Sequence, residues 1–222
     1  MPDPAEPLLE VRQLGDVPYQ DGLDIQAKLV EKRREGSIPD QLLLLEHPHV
    51  LTLGTSSSPD HLLLSEEERS RLGLEVVEVG RGGDVTYHGP GQLVGYPILS
   101  LSPDRKDLHR YLRDLEDVLL RTVATFGITA HREEGMTGIW VPEGKLAAIG
   151  VRVSSRWITS HGFALNVNPD LSYFSSIIPC GISNRSVASM AHVLRRPIQV
   201  QDVVEPLVES FERVFSRKAV VV

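Results

Sequence analysis

The sequence predicts one domain of the α+β class, a mixed, largely antiparallel sheet flanked by helices. Strand-like segments occur in runs as well as beside helices, which favours this class over a doubly wound parallel sheet. Residues 145–153 and 159–167 are strand-like and separated by "SSRW", which predicts a hairpin. A length of 222 residues suits a single domain over residues 1–222 with a full core.

The first part of the chain alternates strands and helices. Residues 8–14 read as a strand, and residues 18–35 as a helix that stops at Gly36. The near-continuous apolar run over residues 41–47 predicts a buried strand, and "VLTLG" predicts another after it.

A short helix and a further strand follow. Ser65 and Glu68 form a possible capping box before a helix that ends at Gly73. Residues 74–80 alternate in polarity and lead directly into a glycine-rich loop. After that loop, "QLVGYPILSL" is again strand-like.

The second half contains the clearest helix, over residues 107–126 and closed by Gly127. Its apolar stripe, which predicts packing against the core, consists of Leu108, Tyr111, Leu112, Leu115, Leu119, Thr122 and Phe126. Residues 138–141 are strand-like, and a final helix is predicted over residues 202–217.

The composition is that of an ordinary globular protein, with 41% hydrophobic and 24% charged residues. One cysteine cannot form an internal disulfide, and no apolar run approaches the roughly 20 residues that span a bilayer. The start, "MPDPAEPLLE", lacks a basic segment followed by an apolar one. We therefore expect a cytoplasmic protein with no membrane partner.

The net charge of −7 argues against a nucleic-acid partner. Residues 145–200 nevertheless hold one acidic residue, Asp170, and six basic ones: Lys145, Arg152, Arg156, Arg185, Arg195 and Arg196. This bias is either a chance drift in surface composition or a basic docking face for an acidic partner, and the sequence leaves both open.

Two segments point to chemistry. Cys180, the only cysteine, stands between Pro179 and Gly181 in "IIPCGIS", which is typical of a turn and not of a buried structural cysteine. Residues 81–93 read "RGGDVTYHGPGQL", too rich in glycine for a helix or a regular strand. The loop matches neither Walker A nor GxGxxG, and two adjacent glycines alone are commonly a structural turn.

Several motifs together resemble one family. "RGGDVTYHGPGQLVGYPI", "GKLAAIGVRV", "TSHGFALNV" and "PCG" are similar, in this order, to the motifs of the lipoyl (octanoyl) transferase family, and "LLLLEHPHVLTLG" to its N-terminal segment. The resemblance covers about residues 42–181. It implies the biotin/lipoyl protein ligase fold and no cofactor. It also implies octanoyl transfer from acyl carrier protein to a lysine of lipoyl domains in 2-oxoacid dehydrogenases and of glycine cleavage H protein.

The resemblance also implies the site. Cys180 is the expected acyl-accepting nucleophile and Lys145 its catalytic partner. The expected substrate-binding residues are Arg81, Gly82, Gly83, Tyr87, His88, Gly89, Ala148, Ile149, Gly150, His161, Gly162 and Ala164. For His88 and His161, purely structural hydrogen bonding remains nearly as good an explanation. The histidines and the single thiol show no ligand spacing, so we expect no metal.

The chemistry suits these residues. A thiolate takes an acyl group from a thioester with little change in bond energy, and a nearby ammonium favours the thiolate. On a regular strand Lys145 shares a face with Ala147, Ile149 and Val151, surroundings that predict a lowered lysine pKa. Periodicity alone favours a lysine that extends from a hairpin end into water, whereas the family resemblance favours catalysis.

Three other functions remain to be distinguished. An ATP-dependent lipoate or biotin ligase would need no cysteine and typically has a different run where this chain has "HGPGQL". An octanoyl amidotransferase would take its acyl group from another lipoyl protein. A non-catalytic acyl- or carrier-binding module would leave Cys180 inert towards alkylation.

Overall fold

Two β-sheets organise the computed structural model, which describes residues 7–103, 105–178 and 186–222. Within these residues the strands are β1 (Leu8–Asp16), β2 (Asp40–Glu46), β3 (Val50–Leu53), β4 (Glu75–Glu78), β5 (Thr86–His88), β6 (Gln92–Ile98), β7 (Ile139–Val141), β8 (Gly144–Val153), β9 (Thr159–Asn166) and β10 (Lys218–Val221). The helices are α1 (Tyr19–Glu35), α2 (Glu66–Arg71), α3 (Leu108–Ala124), α4 (Met190–Leu194) and α5 (Val200–Phe215).

The large sheet has the strand order β10-β1-β2-β6-β9-β8-β7. β1 pairs in parallel with β2 and β10, whereas the remaining neighbours pair antiparallel. The small sheet has the order β4-β3-β5 and is also mixed. The predicted α+β class with a mixed, largely antiparallel sheet is confirmed.

β2 is an interior strand of the large sheet, and both of its faces are covered. Leu42 and Leu44 face the core under α3 and α5, while Leu43 and Leu45 face the cluster under α1. This two-sided burial explains the continuous apolar run that predicted the strand.

The predicted helices are confirmed, with small differences at their ends. α1 ends at Gly36, whose φ of 78° is the left-handed conformation that glycine adopts readily. Ser65 and Glu68 form the capping box of α2, and Asp107 accepts a bond from the Arg110 amide at the start of α3. Such caps contribute about 1 kcal/mol each.

The apolar stripe predicted for α3 is confirmed in part, since Leu112 is only half-buried and Phe126 lies beyond the end of the helix. Tyr111, Leu115 and Leu119 are fully buried in the main core. Leu108, the first residue of the helix, is 42% exposed and does not belong to the buried stripe.

Three elements are missing from the sequence-based prediction: β5, α4 and β10. β5 has three residues and lies inside the glycine-rich loop, and α4 has five residues, so neither is long enough for a clear periodic signal. No helix in the described segments has the length and apolar character needed to cross a membrane.

Candidate active site

A pocket lies where the glycine-rich loop and β5 face β8 and β9. It holds about 800 Å³ of space outside protein atoms, part of it open to solvent. Its lining consists of Tyr19, Arg81, Gly82, Gly83, Asp84, Val85, Thr86, His88, Tyr96, Lys145, Ala148, Ile149, Gly150, His161, Gly162, Phe163, Ala164, Asn166, Phe174 and Val187.

The glycine-rich loop forms one wall and is held by Arg81. This side chain is 7% exposed, and its guanidinium donates to the Thr52 carbonyl and hydroxyl at 2.8 Å each. The Gly82 amide donates to the Val151 carbonyl, which brings the loop against β8. A Cβ on Gly150 would stand 2.8 Å from the Gly82 carbonyl oxygen, so the absence of a side chain there permits the close approach.

Lys145 reaches the pocket through an irregularity in β8. Trp140 pairs with Lys145, but Ile139 pairs with Ala147, so β8 carries one extra residue at this point. Leu146 and Ala147 are consecutive and both fully buried. The expectation that Lys145 shares the face of Ala147 is therefore wrong, because the bulge places it with Ala148 on the pocket lining.

The lysine side chain is partly covered. Its ammonium lies 4.9 Å from the centre of the Trp140 ring, a cation–π distance. The backbone of Lys145 also holds the chain that follows the cysteine segment: its N–H donates to the Ser186 carbonyl and its carbonyl accepts from the Ala188 amide, both at 3.0 Å.

Cys180 and Arg185 lie outside the described residues, but the chain on either side is anchored. Ahead of the gap, the Ile178 amide donates to the His61 carbonyl at 2.9 Å. The His61 ring is hydrogen-bonded through Nδ1 to Asp84 at 2.8 Å, and Asp84 lines the pocket. After the gap, Ser186 is bonded to Lys145. Residues 179–185 therefore connect two points fixed beside the pocket.

His88 is hydrogen-bonded to a chain of two buried side-chain amides, Gln92 and Asn166, which we call the relay. Its Nδ1 lies 2.7 Å from Gln92 Oε1, and Gln92 Nε2 donates to Asn166 Oδ1 at 2.9 Å and to the Tyr87 carbonyl at 3.2 Å. Asn166 Nδ2 in turn donates to the Ala188 carbonyl at 3.0 Å. The relay thus joins β5, β6 and β9 to the segment that pairs with Lys145.

A second buried network surrounds His47. Its Nδ1 donates to the Val17 carbonyl at 2.6 Å, since a carbonyl can only accept, so Nε2 accepts from the Tyr96 hydroxyl at 2.7 Å. Tyr19 packs against His47 and stacks on His88 at 5.8 Å. These contacts pack the rings of Tyr19, His47 and His88 together at the N-terminal end of α1.

His161 has a special backbone conformation. Its φ is 55°, which is uncommon outside glycine, and its amide donates to Gln26 Oε1 at 2.8 Å. Nδ1 of His161 and Nε2 of Gln26 are enclosed and have no hydrogen-bond partner in the described segments. Residues with a strained backbone conformation or an unpartnered buried polar atom are often found at functional sites.

Burial keeps these three histidines neutral at physiological pH. Desolvation lowers the pKa of His47 to about 4. Desolvation, reinforced by the neighbouring His47 and Arg81, lowers the pKa of His88 to about 3. Desolvation with the positive charges of Arg81 and Arg152 lowers the pKa of His161 to about 4.

Two of the expected binding residues do not line the pocket. Tyr87 is fully buried behind it, where its hydroxyl lies 2.8 Å from His49 Nδ1 and its ring stacks on Tyr173. Gly89 lies against the same hydroxyl, which a Cβ would approach to 1.8 Å. The other expected binding residues and Lys145 are all part of the lining.

Sequence reasoning missed Tyr19 on α1, Tyr96 on β6 and Asn166 on β9, and it missed Phe174, which follows β9. Asn166 lies within a matched motif, so a polar residue at the end of an apolar strand was the available signal. Tyr19 and Phe174 gave no signal. Among the described residues, no group of three or more His, Cys, Asp or Glu side chains is placed to hold a metal.

Comparison with known proteins agrees with this architecture. An octanoyltransferase of Chloroflexus aurantiacus is 47% identical over 210 residues, 94% of each chain. An octanoyltransferase of Rubrobacter xylanophilus is 50% identical over 208 residues, 93% of each chain.

Solved structures share the fold at low identity. The crystal structure of a lipoate-protein ligase A bound with ATP has a TM-score of 0.78 at 14% identity, over 97% of this chain and 89% of that chain. The lipoate protein ligase of Thermoplasma acidophilum, from a bipartite archaeal lipoylation system, has a TM-score of 0.75 at 15% identity, over 97% of this chain and 88% of that one. Residues 18–212 match the family described as the lipoyl protein ligase A/B catalytic domain. The chain therefore belongs to the lipoyl protein ligase A/B catalytic domain family.

Proposed function

We propose that this protein carries an octanoyl group from acyl carrier protein to a lysine of lipoyl domains, through a thioester on Cys180. The protein is an acyltransferase, and its relatives are octanoyltransferases that it matches over nearly its whole length. The proposed acceptors are lipoyl domains of 2-oxoacid dehydrogenases and glycine cleavage H protein, and the proposed location is the cytoplasm.

One observation carries the proposal. Lys145 lies in the pocket lining, and its own backbone bonds Ser186 and Ala188, directly after the cysteine segment. Cys180 follows the anchored Ile178 by two residues, a stretch of chain that spans at most about 7 Å. A thiol and an amine are the two groups that acyl transfer from a thioester requires, and the short link from Ile178 to Cys180 supports this pairing with Lys145.

The acyl chain would occupy the apolar part of the pocket. Val85, Ala148, Ile149 and Phe174 supply apolar surface, and the backbone of the flanking glycines permits close packing. Burying a hydrocarbon chain contributes about 0.8 kcal/mol for each CH₂ group, so this wall would favour binding of the octanoyl chain.

In the first half-reaction, the Cys180 thiolate attacks the thioester carbonyl of the donor. A carbon–sulfur bond to Cys180 forms, the bond to the carrier thiol breaks, and the leaving thiolate takes a proton from the Lys145 ammonium. Because the donor is already a thioester, no ATP is consumed.

In the second half-reaction, the acceptor amine attacks the acyl-cysteine. The amide bond forms, the carbon–sulfur bond breaks, and neutral Lys145 takes one proton from the attacking nitrogen. The cycle returns the Cys180 thiolate and the Lys145 ammonium, so that atoms and charge balance over both steps.

Intact-protein mass spectrometry tests the proposal. Wild type and Cys180→Ala are mixed with octanoyl-acyl carrier protein without ATP, and a lipoyl domain is added afterwards. We expect one octanoyl adduct on wild type, no adduct on the variant, and discharge to the lipoyl domain. Modification of the lipoyl domain only with free octanoate and ATP would instead assign the protein to the ligases.

A further inference from the structure

We propose that His88 binds the attacking amine of the acceptor lysine by accepting a hydrogen bond at Nε2, and so orients it in the second half-reaction. The inference rests on the acyl transfer proposed above. It follows from the direction of each hydrogen bond in the relay. One group in the relay can only accept, and this determines the direction of all the others.

This group is the Ala188 carbonyl, which can only accept. Asn166 must therefore present its Nδ2 to Ala188 and its Oδ1 to Gln92. Gln92 then presents Nε2 to Asn166 and, consistently, to the Tyr87 carbonyl. The oxygen Oε1 of Gln92 is what remains for His88, at 2.7 Å from Nδ1.

Because Gln92 Oε1 can only accept, Nδ1 of His88 must carry the hydrogen. A neutral imidazole has a single N–H, so Nε2 of His88 carries a lone pair. His88 lines the pocket, and Nε2 has no hydrogen-bond partner among the residues that the structure describes. Nε2 of His88 thus offers the pocket a hydrogen-bond acceptor that no described residue uses.

Among the reacting atoms that the two substrates bring, the attacking amine is the suitable donor. The thioester carbonyl and the alkyl chain offer no N–H or O–H, and a lone pair at Nε2 repels a carbonyl oxygen. The attacking amine has two N–H groups, one of which loses its hydrogen to Lys145 while the other remains as the amide N–H. A hydrogen bond from that second N–H to His88 can persist from attack to product.

The relay also links this acceptor to the base. His88, Gln92, Asn166 and Ala188 are joined in sequence, and the Ala188 amide donates to the Lys145 carbonyl at 3.0 Å. The acceptor and the backbone of the base are therefore held in one rigid frame. Burial keeps the pKa of His88 at about 3, so it accepts a hydrogen bond without removing the proton itself.

Separate measurement of the two half-reactions tests the inference. His88→Leu removes the acceptor, His88→Gln retains an oxygen acceptor, and His109→Leu, on an exposed part of α3, is the matched control. Loss of one hydrogen bond to a charged or polar reacting group corresponds to about 10- to 100-fold in rate.

We expect His88→Leu to acquire the octanoyl adduct at close to the wild-type rate but to discharge it to the lipoyl domain about 10- to 100-fold more slowly. His88→Gln should recover part of this loss, and the wild-type pH profile above pH 5 should keep its shape in the variants. Equal losses in both half-reactions, or none in either, would overturn the inference. A wild type without any adduct would refute the acyl-enzyme route itself.

Nitrogen-15 NMR of histidine-labelled wild type gives a second readout that does not depend on the folding of a variant. We expect His88 to show a protonated Nδ1 and an unprotonated Nε2, with an Nε2 signal that moves when an amine ligand such as a lipoyl-domain lysine peptide is added. A protonated Nε2, or no response to the amine, contradicts the proposal.

Discussion

At the scale of single residues, the site depends on where a few polar groups are desolvated. Lys145 lies against the Trp140 ring at the pocket edge, and Arg81 is buried under the loop that it holds. Arg81 is held by Thr52, 29 residues earlier. Lys145 contacts Trp140 on the neighbouring strand β7, and these contacts give the proposed chemistry its geometry.

The first prediction concerns Lys145→Arg. Arginine retains a positive charge near the proposed thiolate but does not release its proton, so it can favour the thiolate and cannot act as a base. We expect adduct formation on Cys180 to fall by less than about 10-fold, because the leaving thiolate can take its proton from water instead, and discharge to the amine to fall by about 10² to 10⁴-fold. Rapid mass spectrometry of each half-reaction measures both rates.

Lys218→Arg, on an exposed edge strand, is the control for that substitution. Two half-reactions slowed to the same extent would show that Lys145 does not serve as the base of the second step. Lys145→Ala is expected to slow both, because it removes the charge as well as the base.

At the scale of elements, α3 is connected to the start of β7 by one buried carboxylate. Glu116 is fully buried and accepts from the Gly138 amide at 3.1 Å, from Arg113 at 2.6 Å and from Arg132 at 2.9 Å. This contact sets the position of β7, whose Trp140 pairs with Lys145.

We predict that Glu116→Ala lowers the free energy of unfolding by about 2 to 4 kcal/mol, because a buried amide and two arginines lose their acceptor. Urea denaturation measures the change. Glu209→Ala on α5, where an exposed carboxylate lies 3.6 Å from Arg213, should stay within about 0.5 kcal/mol of wild type. Equal effects of the two substitutions would contradict the structural role of Glu116.

Comparison of the elements shows which features hydrophobic periodicity can predict. The stripe of α3, the two-sided burial of β2 and the β8–β9 hairpin were all predicted, since each depends on residues close in sequence. The bulge at Leu146 was not predicted from the sequence, because it depends on how β7 aligns with β8. One extra residue moved Lys145 to the opposite face.

At the scale of the whole molecule, neutral buried histidines make stability depend on pH. His47, His88 and His161 have pKa values of about 4, 3 and 4 in the folded protein, compared with about 6.5 in an unfolded chain. Between these values the unfolded state binds more protons, so the free energy of unfolding decreases as the pH falls from about 6.5 towards 4.

We expect this decrease to reach up to about 1.4 kcal/mol per pH unit for each histidine, and to be absent above pH 7. Chemical denaturation of wild type and His47→Gln between pH 5 and 6.5 measures the contribution of one group. The slope should be smaller in His47→Gln and unchanged in His109→Gln. An unchanged slope in His47→Gln would contradict burial of a neutral His47.

Two arginines of the basic segment 145–200, Arg152 and Arg156, have defined positions in the structure. Arg152 is exposed beside the glycine-rich loop, where its guanidinium faces Gly80, and Arg156 is exposed near the end of α1, donating to the Arg34 carbonyl at 3.2 Å. Arg152 thus places a positive charge beside the loop that lines the pocket, where it could attract the proposed acidic carrier protein.

We therefore predict that Arg152→Glu raises the KM for octanoyl-acyl carrier protein several-fold at low salt, and that the difference from wild type shrinks at high salt. Arg213→Glu, on α5, is the control, and steady-state kinetics at two ionic strengths provide the measurement. Kinetics that do not change with salt in Arg152→Glu would count against this docking face.

The sequence by itself determined the class of fold, most of its elements and, through several motifs in one order, the family. These features are local or are carried by contiguous motifs, so they can be read along the chain. Only the tertiary structure decided which atoms face the pocket: the bulge that presents Lys145, the relay that leaves a lone pair on His88, and the burial that holds His161 neutral. Each arises from contacts between strands distant in sequence, where register and desolvation are set by the packed whole and not by any single segment.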